Sequence, residues 1–109
     1  MKFDDVVAIL DKSVGGPDAD VASHGPFWRG VTRDRFVEMK VGGRKLVSIG
    51  DGANSNLVLS LKGEAPFGSD LDDPPAGAVT PAMPAYLDPV PADEISAIEQ
   101  WIDAGCPAD

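Results

Sequence analysis

One cysteine, one histidine and one tyrosine are all that this chain of 109 residues has of those three types. A single thiol, Cys106, rules out an internal disulfide. One histidine and one cysteine fall short of the four Cys or His ligands of structural zinc, and short of the two-His, one-Cys set of blue copper. Cations are scarce as well: nine Lys and Arg stand against eighteen Asp and Glu, a formal charge of −9. That field opposes phosphate backbones and anionic membranes, so no nucleic-acid partner is expected. An acidic surface suits a basic protein partner, or simply keeps the domain in solution. No apolar run approaches the ~20 residues of a membrane helix, so no membrane span is expected. The start, MKFDDVV, has acids where a signal peptide carries its apolar stretch. The expected setting is the cytoplasm, or a domain cut from a longer exported chain.

Glycine and proline are what the chain has in plenty, at twelve and ten. The length fits one domain over 1–109, with a thin core and much loop. Aromatics make up only 6% of the residues, so each Trp or Phe carries a large share of that core.

Four helices are expected. In KFDDVVAILDK, Phe3, Val6, Val7 and Leu10 repeat at i, i+3, i+4, i+7; Asp4 and Asp5 suit the positive end of the helix dipole, and GGP at 15–17 stops the run. Thr32 is a candidate N-cap for a second helix with Phe36 and Met39 on one face, ended by Gly42-Gly43. RKLVSI is a short β-branched run, a strand or an extended link. A third helix starts near Asn54 or Ser55, turns Leu57, Val58 and Leu61 inward, and closes at Gly63. From Glu64 to Pro91 seven prolines predict a long wrapped loop, whose Phe67, Leu71, Val79, Met83, Tyr86 and Leu87 argue that it packs. The last helix has Pro91, Asp93 and Glu94 at its start, Ile95, Ile98, Trp101 and Ile102 on one face, and Gly105 as its stop. The expected fold class is all-α, with the N- and C-terminal helices crossing to supply the core.

Candidate chemistry is sparse. Ser23 and His24 are adjacent in sequence, whereas a nucleophile and its base meet across a fold. Asp70, Asp72 and Asp73 offer oxygens to calcium but lack the spacing and final Glu of an EF-hand, and read as a solvated acidic loop. VGGRKL and GDGAN are glycine turns without the context or the Lys-Ser/Thr of a phosphate loop. Cys106 has no base nearby in sequence and reads as an inert or exposed thiol. Without an acid, base and nucleophile in one constellation, a non-catalytic domain is expected, not an enzyme.

An N-terminal helix, a loop ending in His24, a helix near NSNLV, a glycine-closed LKG, an MP in a long loop and a final EISAIEQWIDAG together resemble class I cytochrome c over nearly the whole chain. The terminal helix with Trp101, Ile102 and Gly105 is the most specific piece. In that family two cysteine thioethers tether haem, with His and typically Met as its axial ligands. The resemblance places the attachment motif on Asp20-Val21-Ala22-Ser23-His24, the proximal ligand at His24 and the distal ligand at Met83 in PAMPAY. Asp20 and Ser23 cannot form thioethers, so covalent haem is excluded. Three readings stay open. Phe27 and Trp28, directly after His24, fill the vacated pocket; or His24 and Met83 hold haem non-covalently for electron transfer; or they bind copper or another metal. The favoured expectation is a haem-less accessory domain without cofactor, its partner a protein such as a redox enzyme.

Overall fold

The computed structural model describes residues 1–19, 26–84 and 89–108. Helix α1 spans Phe3–Ser13. The Asp5 carboxylate accepts from the Lys2 backbone N–H at 2.8 Å, so an acid in the first turn satisfies one of the free donors there. Phe3, Val6 and Leu10 are buried and Val7 is half-buried. The Gly16 N–H returns to the Asp11 carbonyl at 2.8 Å, and the positive φ of Gly15 and Gly16 turns the chain away.

Helix α2, Arg33–Glu38, is shorter than its sequence pattern suggests. The Thr32 hydroxyl caps it as expected, accepting from the Arg35 N–H at 3.2 Å. Gly42-Gly43, however, does not end a helix. It is the two-residue turn of a hairpin in which β1, Lys40–Val41, pairs antiparallel with β2, Arg44–Lys45. Both glycines have positive φ, 60° and 79°, the condition of the type I′ turn that matches strand twist. The reading of RKLVSI as a strand or link is resolved into both: Arg44 and Lys45 are strand, and Leu46 and Val47 bury themselves as a link.

The chain then closes on the last helix. A 3₁₀ turn, Gly52–Asn54, leads into α3, Asn56–Lys62, which buries Leu57, Val58 and Leu61 and ends at Gly63 in the left-handed region. Ser55 is fully buried and tied on both sides. Its hydroxyl accepts from the Ser48 N–H at 2.9 Å and donates toward the Asp51 carbonyl at 3.0 Å. Helix α4, Ala92–Asp103, buries Ile95, Ile98, Trp101 and Ile102. It packs most closely on the 3₁₀ turn and on α3. Gly52 makes that approach possible: a Cβ there would fall on the Glu99 carbonyl oxygen, with Glu99 Cγ at 2.8 Å.

The end of α4 is firmly closed. Gly105 N–H reaches the Ile102 carbonyl and Cys106 N–H reaches the Trp101 carbonyl, the two bonds of a Schellman motif. Arg33 donates to the carbonyls of Cys106 at 2.6 Å and Gly105 at 2.8 Å, and the Trp101 indole donates to the Pro107 carbonyl at 2.8 Å. These three bonds fix the chain just beyond the helix, at Gly105, Cys106 and Pro107.

The segment between α3 and α4 is irregular, as its prolines require, yet its backbone is paired. Thr80 and Val79 donate to the Pro66 carbonyl, Ser69 to Thr80, and Met83 to Ser60. Phe67 and Ala82 are buried, but Leu71 and Val79 are 42% and 71% exposed, against the expectation that they pack. Tyr86 and Leu87 lie outside the described residues.

The expected all-α class is therefore wrong. Among the described residues well under half are helical, and an antiparallel hairpin stands among four helices. The end helices do touch, and both supply the core. Phe3 at the start of α1 stacks on Trp101 near the end of α4, while Lys12 at the end of α1 pairs with Glu94 at the start of α4. The two run in opposite directions, and α3, the 3₁₀ turn and the Leu46–Val47 link share the core with them.

Candidate functional site

The residues proposed to fill a pocket, Phe27 and Trp28, are among the best-anchored in the molecule. Trp28 is 1% exposed. Phe27 meets it edge-on at 5.0 Å and stacks on Phe36 at 6.3 Å. Phe36 in turn lies 5.2 Å from Phe3 and 6.3 Å from Trp101. Five rings from α1, the 26–30 loop, α2 and α4 thus form one connected aromatic cluster. Offset and edge-to-face contacts of this kind add about 0.5–1.5 kcal/mol each to the burial of the rings.

A polar clamp fixes Trp28 in place. Its indole N–H donates to Asp11 Oδ1 at 2.8 Å, and Arg29 Nε donates to the same oxygen at 2.7 Å. The other two guanidinium nitrogens donate to the carbonyls of Ala19 and Gly16, each at 2.8 Å, and the group lies 5.5 Å over the Trp28 ring. One side chain thus ties the turn after α1 to the 26–30 loop. Burial pushes the Asp11 carboxyl up, but the hydrogen bonds from Trp28 and Arg29 and the Arg29 charge outweigh it and hold the group below the usual carboxylate range. Sequence reasoning missed this clamp. Its signal was an acid near the C-terminal end of α1, where the dipole favours a cation, and an Arg beside a Trp of the core.

The other candidates scatter. Met83 is half-buried, packs on the core and donates its N–H to the Ser60 carbonyl at 2.8 Å. His24, Asp20 and Ser23 lie outside the described residues. Asp72 and Asp73 are exposed, whereas Asp70 accepts from the Ala82 N–H at 2.7 Å and serves the loop's own backbone. Cys106 is fully buried, which corrects the exposed-thiol alternative. Burial pushes its thiol up, and the Arg33 charge opposes this only in part. Among the described residues no three His, Cys, Asp or Glu side chains gather to hold a metal. No helix among them is long and apolar enough to cross a membrane.

A groove of about 340 Å³ runs between the end of α1 and the start of α4, with Ile9, Val14, Val90 and the Lys12–Glu94 pair among its walls. Phe27, Trp28 and Met83 do not line it. A haem tethered by two thioethers needs two thiols, and this chain has one, the buried Cys106. Comparison with family models, with curated proteins and with solved structures found no match to the chain.

Proposed function

We propose that this is a haem-less accessory domain, related in sequence to class I cytochrome c, which acts by binding another protein and not by catalysis. The observation that supports the reading is Trp28: a buried ring, held by two polar partners and packed on Phe27, follows closely on the position where the resemblance puts the haem-ligating histidine. A side chain that fills and is clamped keeps a core closed, since interiors pack to near-crystalline density. The exposed surface is then what is left to do the work. A redox enzyme is the partner that the sequence resemblance suggests.

Haem titration tests the cofactor half of the proposal. Added to the purified full chain, haem should give no Soret band beyond that of free haem and no rise in Tm. A Soret band that appears with wild type and vanishes in His24→Ala would overturn the reading in favour of a non-covalent carrier using His24 and Met83.

A further inference from the structure

We infer that the outer face of the β1–β2 hairpin, Lys40 and Lys45, is a docking surface for an acidic, carboxylate-rich segment of a partner protein. The inference rests on the reading that the domain works by binding another protein.

The register carries it. Lys40 is directly opposite Lys45, and Val41 is opposite Arg44. Val41 and Arg44 flank the two-residue turn, and the Leu46 N–H bonds to the Met39 carbonyl at 3.1 Å. The Lys40–Lys45 pair lies between these hydrogen-bonded pairs, so it is a non-hydrogen-bonded pair, where opposed side chains come closest. Like charges in that position repel. The alternation also fixes the faces. Met39, Val41 and Leu46 pack against the core and Arg44 lies over the Phe67 ring at 5.9 Å, which leaves both lysines outward and exposed.

The distribution of cations points the same way. Lys12, Arg29, Arg33 and Lys62 are in ion pairs within the chain. Of the five that form none among the described residues, Lys2, Arg35, Lys40, Arg44 and Lys45, four fall between positions 35 and 45. Glu38 is the one acid in that stretch. On a chain of charge −9 with carboxylates to spare, two opposed lysines are left without a carboxylate within ion-pair distance among the described residues. A carboxylate from outside would relieve their repulsion and pair with both.

A short acidic peptide segment suits this patch better than a nucleic acid. A phosphate strand carries dense charge along its whole length and would run past the hairpin onto acidic surface. A few carboxylates need only the hairpin, and at physiological salt charges more than ~8 Å away are largely screened.

The experiment uses the full chain and a fluorescein-labelled hexaglutamate peptide, read by fluorescence anisotropy at low and at physiological salt. Saturable binding is expected, weakened by salt and weakened roughly fivefold to tenfold in Lys40→Ala/Lys45→Ala, the loss of two exposed ion pairs. The lysines are outside the core, so circular dichroism of the double variant should match wild type. No binding at low salt, or equal binding by the double variant, would overturn the inference. So would a single-stranded oligonucleotide that displaces the peptide at lower concentration than unlabelled peptide does. Haem titration separates the two readings: a chain that ignores both haem and peptide loses only the docking face, whereas a His24-dependent Soret band removes the haem-less reading itself.

Discussion

Replacing Trp28 by alanine is the sharpest test of a filled interior. The ring is 1% exposed, and a tryptophan buries on the order of 200 Å². At ~25 cal/mol per Å² the transfer contribution is about 5 kcal/mol, and measured aromatic-to-alanine changes in cores run to about 3–5 kcal/mol. Loss of the indole donor adds little, because Arg29 still donates to Asp11 Oδ1 at 2.7 Å and the oxygen is not orphaned. A loss of about 3–5 kcal/mol is therefore expected from a domain whose whole stability is about 5–15 kcal/mol. Tm should fall by roughly 15–30 °C, if the variant folds at all. Trp28→Phe keeps a ring but gives up part of the indole's volume in a closed core, so it should cost about 1–3 kcal/mol, less than the alanine variant, and remain folded. The assay is urea unfolding followed by far-ultraviolet circular dichroism, which does not depend on the removed fluorophore. A Trp28→Ala midpoint within about 1 kcal/mol of wild type at an unchanged m-value would refute the reasoning, since no filled core loses its largest ring so cheaply.

Three further outcomes follow from other contacts. Gly52→Ala puts a methyl group against the backbone of α4 at Glu99, which cannot give as a side-chain tip would; thermal unfolding should show a loss of about 2–3 kcal/mol, and an unchanged Tm would mean that the 3₁₀ turn is not held against α4. The lowered Asp11 pKa contributes stability that is present above the unfolded carboxyl value of about 3.9 and lost as pH falls through the lower folded value. Asp11→Asn should thus be about 2–3 kcal/mol less stable than wild type at pH 7 in urea titrations, with the gap shrinking steadily below about pH 4; a gap that stays constant down to pH 2 would remove the ionic clamp. The Cys106 thiol should resist a disulfide-exchange reagent in the native protein and react fully in denaturant, whereas rapid native labelling would show the C-terminal turn to be open.

Helices with full amphipathic stripes could be read from the sequence, and those without could not. Phe3, Val6 and Leu10 mark α1, and Ile95, Ile98, Trp101 and Ile102 mark α4, because a 3.6-residue repeat has one compact solution. Gly42-Gly43 misled: glycine after a helix and glycine in a type I′ turn are the same letters, and only the pairing of Lys40 with Lys45 decides between them. That pairing is what breaks the all-α expectation. Leu71 and Val79 look like core residues in a list, but proline-rich backbone satisfies its hydrogen bonds locally and need not turn every apolar side chain inward. Around the candidate site, the burial of Trp28 was foreseeable from its size. The Asp11–Arg29 clamp was not, because ion pairs between residues far apart in sequence leave no periodic trace.

The chain's two tryptophans are both buried, and their indole N–H groups end on different chemistry. Trp28 gives its proton to a carboxylate, Trp101 to the neutral carbonyl of Pro107. Nature has thereby installed two optical probes, one whose surroundings change when acid is added and one whose surroundings do not. Emission recorded on Trp28→Phe and Trp101→Phe variants would separate them and show whether the α1 end of the molecule loosens before the α4 end.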